Sequence, residues 1–484
     1  MHSVSVERLD HLGVIATVIK DLRLIDMIDA RLVPDAQEDI TPGEAVAGMI
    51  LNGLGFANRP LSLTPQFFTN KPLDLLFRAA IRPEMFNRFK LGRTLEEIYT
   101  YGCDLLFSEV AHAVCAHEGI EQRFQHLDTT SFTLSGDYVP ESDDTQAITI
   151  THGYSKDHRP DLKQAVLELL VAQDGGVPMF SKSWDGNTSD TQIFQERATA
   201  LLTAFAQAPT PRYLVADAKL YTEANAPTLA KLGFITRIPG TLKLVPQVIT
   251  QALREDRWHH LDEATRYYRL ELCHYGMAQR WLVVSSQAAQ ERAKASVARA
   301  QQREWDAIEK QLFHMQAQRF ATPEAAHAAV TTLATAWRYH QVEGSHMIAH
   351  KHYACKGRPT ARSPIKAIDW QIVAQVRPDD KRIACRKQQE ACFVIGTNIA
   401  TPQVEDPQVI HAYKAQAQVE GGFRFLKDPL FFVSSLFVKK PCRIQGLLTV
   451  MTFALLVYSV AQRRLRHQLA RCKETLPNQI QQPT

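Results

Sequence analysis

The chain has 484 residues, with 45% hydrophobic and 22% charged side chains, 24 Pro and 22 Gly. That composition excludes a disordered, collagen-like or coiled-coil protein and suits roughly two to four folded domains. The net charge is only +4, yet residues 351–484 hold 21 Lys and Arg against 9 Asp and Glu, while the first 350 hold 34 against 42. A basic region of this size suits a polyanionic partner, nucleic acid being the commonest, or else a solvated basic surface.

The first residues lack the apolar core and cleavage site of a signal peptide. Residues 1–120 read as a helical domain. Thr41, Pro42 and Glu44 give an N-cap, a first-turn proline and a capping box before the apolar run 45–56, and Thr94 with Glu97 repeats the pattern. The texture changes near residue 122. Segments 123–136 and 147–155 read as strands, and 164–173 and 177–184 as a hairpin about Asp174-Gly175-Gly176. A helix over 191–207 follows, then a strand 213–216 ending at Asp217, a short helix near 222–232 and a strand over 233–240. This alternation predicts an α/β layer with a mixed sheet, in the chain order of a ribonuclease-H-like fold.

An inserted α+β domain is expected over 241–400. It contains a hairpin over 267–286, a helical arm over 287–341, and strands at 368–376 and 390–398. A catalytic core is thereby split into 121–240 and 401–465, followed by a tail, 466–484. In the second part Asp406 and Pro407 predict a helix start. Tyr413, Gln416, Glu420, Arg424 and Lys427 then fall on one helical stripe. Gly421 and Gly422 follow the acid directly, marking either a close backbone approach or the end of the helix. Residues 444–462 carry no charge over 19 positions, the length of a membrane span. Five polar residues dilute the run, so a buried core helix is expected.

The eight Cys form no C-x2-C pair, which predicts reduced thiols in a cytoplasmic protein. His346, His350, His352 and Cys355 fit no standard structural zinc spacing. Asp128 and Asp217 each close a predicted strand, and Glu420 lies on the later helix. An isolated Asp at a strand end is usually a turn cap. Three converging carboxylates instead repel one another unless cations lie between them, and oxygen ligands of this kind suit magnesium or manganese.

The blocks HLDTTSF (126–132), HGYSKDHRPDLKQ (152–164), GNTSD (186–190), LVADAKLY (214–221), GTN (396–398) and YKAQAQVEGGFRFLKDPLF (413–431) together resemble the DDE transposases of bacterial insertion sequences. The subgroup is the one with a Y-x2-R-x3-E-x6-K signature and an insertion before the third acid. The resemblance spans about 120–460, and the helical N-terminal section resembles that subgroup's leading domain. It implies Asp128, Asp217 and Glu420 as catalytic residues holding two Mg2+ or Mn2+ ions. Tyr413, Gln416, Arg424 and Lys427 would contact DNA, although Gln416 stands where the signature has Arg. The implied activity is cleavage at inverted-repeat element ends and strand transfer into target DNA. The protein would work as a homodimer, in the cytoplasm at the nucleoid, without a membrane. The competing expectations are a catalytically inactive, transposase-derived DNA-binding protein and a plain nuclease.

Overall fold

The computed structural model describes residues 6–56, 60–136, 138, 146–157, 159–354, 358–360, 363–428 and 438–477. The chain is a mixed α/β protein that divides into two compact units. The first comprises 1–237, 272–280 and 396–484, and the second 238–271 and 281–395.

In the first unit the sheet order is β3 (Pro178–Trp184), β2 (Lys163–Ala172), β1 (Phe124–Leu134), β4 (Tyr213–Ala216) and β5 (Phe234–Arg237). Strand β2 runs antiparallel to β1 and β3, whereas β4 is parallel to both β1 and β5. Positive φ at Gly175 (80°) and Gly176 (65°) makes the β2–β3 turn.

One hydrophobic core joins residues of the N-terminal helices, of β1 and β2, and of the helix Pro441–Cys472. That last helix holds the long uncharged run, 89% of whose apolar window is buried inside the protein. It meets the helices Pro42–Leu54, Arg88–Tyr101 and Cys103–Glu118, which bury the apolar faces that none could cover alone. The capping box at Thr41 forms: its N–H donates to Glu44 Oε2 (2.9 Å), and its hydroxyl accepts from the Glu44 N–H (3.1 Å).

Several expectations are corrected. Thr94 does not start a helix; Asn87 does, accepting from the N–H groups of Phe89 and Lys90 at 3.1 Å, and Thr94 is buried in that helix's interior. Segment 147–155 is not a strand. From Val166 on both edges of β2 are already paired, and the segment keeps a single bridge, Thr151 to Gln164. Asp406 is not an N-cap. Its carboxylate is taken by Arg280 at 2.7 Å, and the cap falls to Glu405, whose N–H donates to Gln408 Oε1 at 3.0 Å. Arg280 also donates to the carbonyls of Ile399 (3.2 Å) and Val404 (2.7 Å). The expected single helix after residue 406 is two, Asp406–Lys414 and Ala417–Leu426. Gly421 and Gly422 lie inside the second, and a Cβ on Gly422 would come within 3.2 Å of Leu455.

In the second unit the order is β11 (Cys392–Thr397), β8 (Met277–Ser286), β7 (Thr265–His274) and β6 (His259–His260). The expected arm forms as the helices Gln287–Ala317 and Pro323–Ala334. A two-stranded ribbon joins β9 (His340–Tyr353), which the sequence did not suggest, to β10 (Ile365–Pro378). On it His350 pairs with Gln371 (2.6 Å) and His352 with Asp369 (2.7 Å). Cys355 and His158 lie outside the described residues.

Candidate functional site

The parallel register of β1 and β4 sets Leu127 beside Ala216, so Asp128 and Asp217 take the next positions; Asp217 closes β4 as expected, but Asp128 does not close β1, which runs on to Leu134 in its pairing with β2. Asp128 accepts from the Thr129 N–H at 2.7 Å. Asp217 accepts from the Lys219 N–H at 2.9 Å and starts the short turn Ala218–Leu220. Burial pushes the Asp128 carboxyl up to about 6, with Lys156 opposing and the charges of Asp217 and Asp190 adding to the rise. Burial also raises Asp217, against the Lys219 N–H and ammonium.

Three residues that the sequence reading did not single out complete this cluster. Asp190 opens the helix Asp190–Ala206, with Ser189 as its N-cap. Its carboxylate accepts from the Thr129 hydroxyl at 2.5 Å, pairs with Lys219, and lies 3.3 Å from the Lys156 ammonium. Burial alone would raise the Asp190 carboxyl, but Lys219, Thr129 and Lys156 outweigh it and hold it below the usual range. Lys156 donates to the Thr129 carbonyl (2.5 Å) and hydroxyl (2.8 Å). The signal was the blocks themselves: Lys156, Asp190 and Lys219 sit in HGYSKD, GNTSD and LVADAKLY. The loops carrying the first two cross at Gly153 and Gly186. A Cβ on Gly186 would lie 2.1 Å from the Gln164 carbonyl, and one on Gly153 would lie 2.1 Å from the Gly186 carbonyl.

The helix-borne residues are placed differently. Gln416 is buried, with its amide N–H donating to the Leu127 carbonyl (3.2 Å) and its Oε1 facing His126 Nδ1 (3.2 Å). It is therefore an anchor between the helix Ala417–Leu426 and β1, and its side chain is not open to a ligand. Tyr413 is half-buried; burial raises its hydroxyl, Arg237 opposes, and the charges of Asp217 and Glu420 both reach it. Lys427 pairs with Asp157 at 2.8 Å. Arg424 is exposed, and so is Glu420. Among the described residues no three His, Cys, Asp or Glu side chains are grouped to hold a metal ion. Asp128 and Asp217 are brought together; Glu420 does not join them in a cluster of three.

Elsewhere in the first unit a groove of about 960 Å³ has a mainly apolar lining, Leu61, Phe89, Leu91 and Leu447 among it, with Arg88, Arg93, Lys439, Lys440 and Arg443 adding positive charge. Phe89 is 67% exposed, with the Arg88 guanidinium 4.8 Å from its ring centre. Glu96 pairs with Arg443 (2.9 Å) and Lys440 (3.6 Å).

Residues 4–112 match a family described as a domain of unknown function, DUF4277. No curated protein matches the chain. Among solved structures, the piggyBac transposase synaptic complex with hairpin DNA is similar at 8% identity and a TM-score of 0.37, covering 96% of this chain and 77% of that one. A likeness of that size carries no argument about what this chain does.

Proposed function

We propose that the protein is a transposase-like DNA enzyme, cleaving phosphodiester bonds at the ends of its own element and joining them to target DNA. The observation that carries this reading is the β1–β4 register: the pairing runs to Leu127 and Ala216, so Asp128, inside β1, and Asp217, just past the end of β4, take the next positions side by side. The strand order β3-β2-β1-β4-β5, with β2 alone reversed, supports a ribonuclease-H-like core. The groove cations support a polyanion track, and pairing two DNA ends requires at least a dimer.

The donor set of Asp128 and Asp217 fits a hard divalent cation, Mg2+ or Mn2+. Both groups are carboxylates, and the crowding of negative charge that helps raise Asp128 is what a cation relieves. Asp128 and Asp217 would hold it, with Glu420 as the third ligand drawn in from its exposed position. Such ions activate a water or 3′-hydroxyl and stabilise the leaving oxygen. The protein's own part is to fix the two strand-borne acids, carry Glu420 on a helix anchored to β1 by Gln416, and bind the DNA backbone through Arg424 and the groove cations. Lys427 contributes only if it leaves Asp157.

In a magnesium-dependent nicking assay on element-end DNA, Asp128→Asn, Asp217→Asn and Glu420→Gln should each abolish cleavage while leaving DNA binding largely intact. Full cleavage by one variant would remove that residue from the reading. A second reading, an inactive transposase-derived DNA-binding protein, draws on the exposed Glu420 and on a Gln416 spent on β1. It predicts binding without nicking by the unmodified protein.

A further inference from the structure

Two ammonium groups share the surroundings of Asp128 and Asp217 without bonding to their side chains. Lys156 reaches in from the 152–164 block and Lys219 from the turn after β4. Among the described residues their ammonium hydrogen bonds go to Thr129 and Asp190, and none goes to the Asp128 or Asp217 side chain. Both lysines nonetheless act on the two acids through space. Lys156 lowers Asp128 and Asp217, and Lys219 feels both in return. Asp190 ties the lysines together and is itself fixed by the Thr129 hydroxyl, one residue from Asp128.

The charges explain why such a set is needed. Asp128, Asp190 and Asp217 bring three negative charges to a largely buried place, and partly buried carboxylates without counter-charges are costly. The two lysines leave a deficit of one. A divalent cation arriving beside Asp128 and Asp217 meets two positive charges already there, so lysine and metal compete electrostatically for the same pair.

We propose that Asp190 is a positioning residue that holds Lys156 and Lys219 as built-in counter-charges for Asp128 and Asp217, screening the acids before metal binds and setting how tightly it binds. The proposal rests on the reading of Asp128 and Asp217 as metal ligands. Among the described residues the lysine ammonium groups bond to Thr129 and Asp190, so they do not occupy the carboxylate oxygens of Asp128 and Asp217. Without Asp190 the Lys219 ammonium would lose its partner and close onto the acids, while Lys156 would keep only its Thr129 bonds.

The test uses the full-length, DNA-free protein and Mn2+ calorimetry. Lys156→Gln and Lys219→Gln, which keep a donor but lose the charge, should each tighten Mn2+ binding about tenfold, the effect of one unit charge at close range. Asp190→Asn should weaken it. In the absence of metal, Lys156→Gln should lower the melting temperature by about 2 °C or more in the natural background. In an Asp128→Asn background the loss should be smaller, because one of the charges it balances is gone while its pair with Asp190 remains. Unchanged or weaker Mn2+ binding by both lysine variants overturns the proposal, as does equal destabilisation in the two backgrounds. If the unmodified protein binds no Mn2+, the ligand reading itself fails and the metal-free comparison alone decides the counter-charge role.

Discussion

The two halves of the candidate site are built on different principles. The strand-borne half, Asp128 and Asp217, is placed by backbone register. Hydrogen-bonded strands fix both residues, and a crossing of two glycines locks the surrounding loops. The helix-borne half, Glu420, is placed by side chains. Its helix breaks away from Asp406–Lys414 near residues 415–416, and Gln416 anchors it to β1 through two contacts at 3.2 Å. Register is shared among many backbone bonds, whereas the helix is held by side chains alone, Gln416 on β1 and Val419, Phe423 and Leu426 in the core. A site that must accept a large ligand gains from having one fixed wall and one adjustable one.

The largest effect should come from breaking the fixed wall. Gly186→Ala puts a Cβ 2.1 Å from one backbone carbonyl and 2.5 Å from another, and neither can yield like a flexible side chain. It should cost about 3 kcal/mol or more in thermal or denaturant unfolding. Gly421→Ala, in the adjustable wall, meets nothing within 4 Å and should instead gain about 0.5–1 kcal/mol. A similar loss at both positions would erase the distinction. Next in size, Gln416→Leu leaves a buried carbonyl and a buried imidazole without their partner, at about 1–3 kcal/mol. Hydrogen exchange should quicken over 417–426 while β1 and β4 stay protected; uniform exchange would show that the core contacts hold the helix without this anchor. The smallest effect concerns Asp174 in the β2–β3 turn, whose oxygens accept from Arg463 at 2.8 and 2.7 Å. Burial works against this carboxyl, but Arg463 and the Glu121 N–H hold it below its ordinary value. A lowered carboxyl stabilises the fold fully above the unfolded range and loses that contribution as pH falls through its folded value. Asp174→Asn should therefore be less stable than the unmodified protein at neutral pH, and the difference should shrink as pH falls below the usual carboxylate range; a difference that is constant with pH in denaturant unfolding would rule out this contribution.

Much of the fixed wall was legible because its signals are local. The segment 123–136 was legible as the strand β1, the Asp-Gly-Gly turn marked the β2–β3 hairpin, and Asp217 at the end of a short apolar run was visible as a strand-end acid. Thr41 and Glu44 announced their helix because both halves of the box lie within one turn. The failures were matters of context. Thr94 has the letters of a cap but sits where a helix already runs from Asn87, and residues 147–155 alternate like a strand but reach the edge of β2 only at Gln164, before β3 takes it over from Val166. Ribbon strand β9 went unseen because its His and Gly residues carry little strand preference. The roles of Lys156, Asp190 and Gln416 could not be read, since each depends on a partner from a distant stretch of chain.

The Arg280 contact bears on how far the middle section of the chain can be shortened. Residues 272–280 belong to the first unit, although the segments on either side of them belong to the second. Through Arg280 this short stretch supplies the guanidinium on which Asp406 and the carbonyls of Ile399 and Val404 rest. Excising 238–395 as a block would remove a support from the base of the very helices that lead to Glu420. Shortening the middle section must therefore spare the hairpin tip, which belongs to the first unit and supports it.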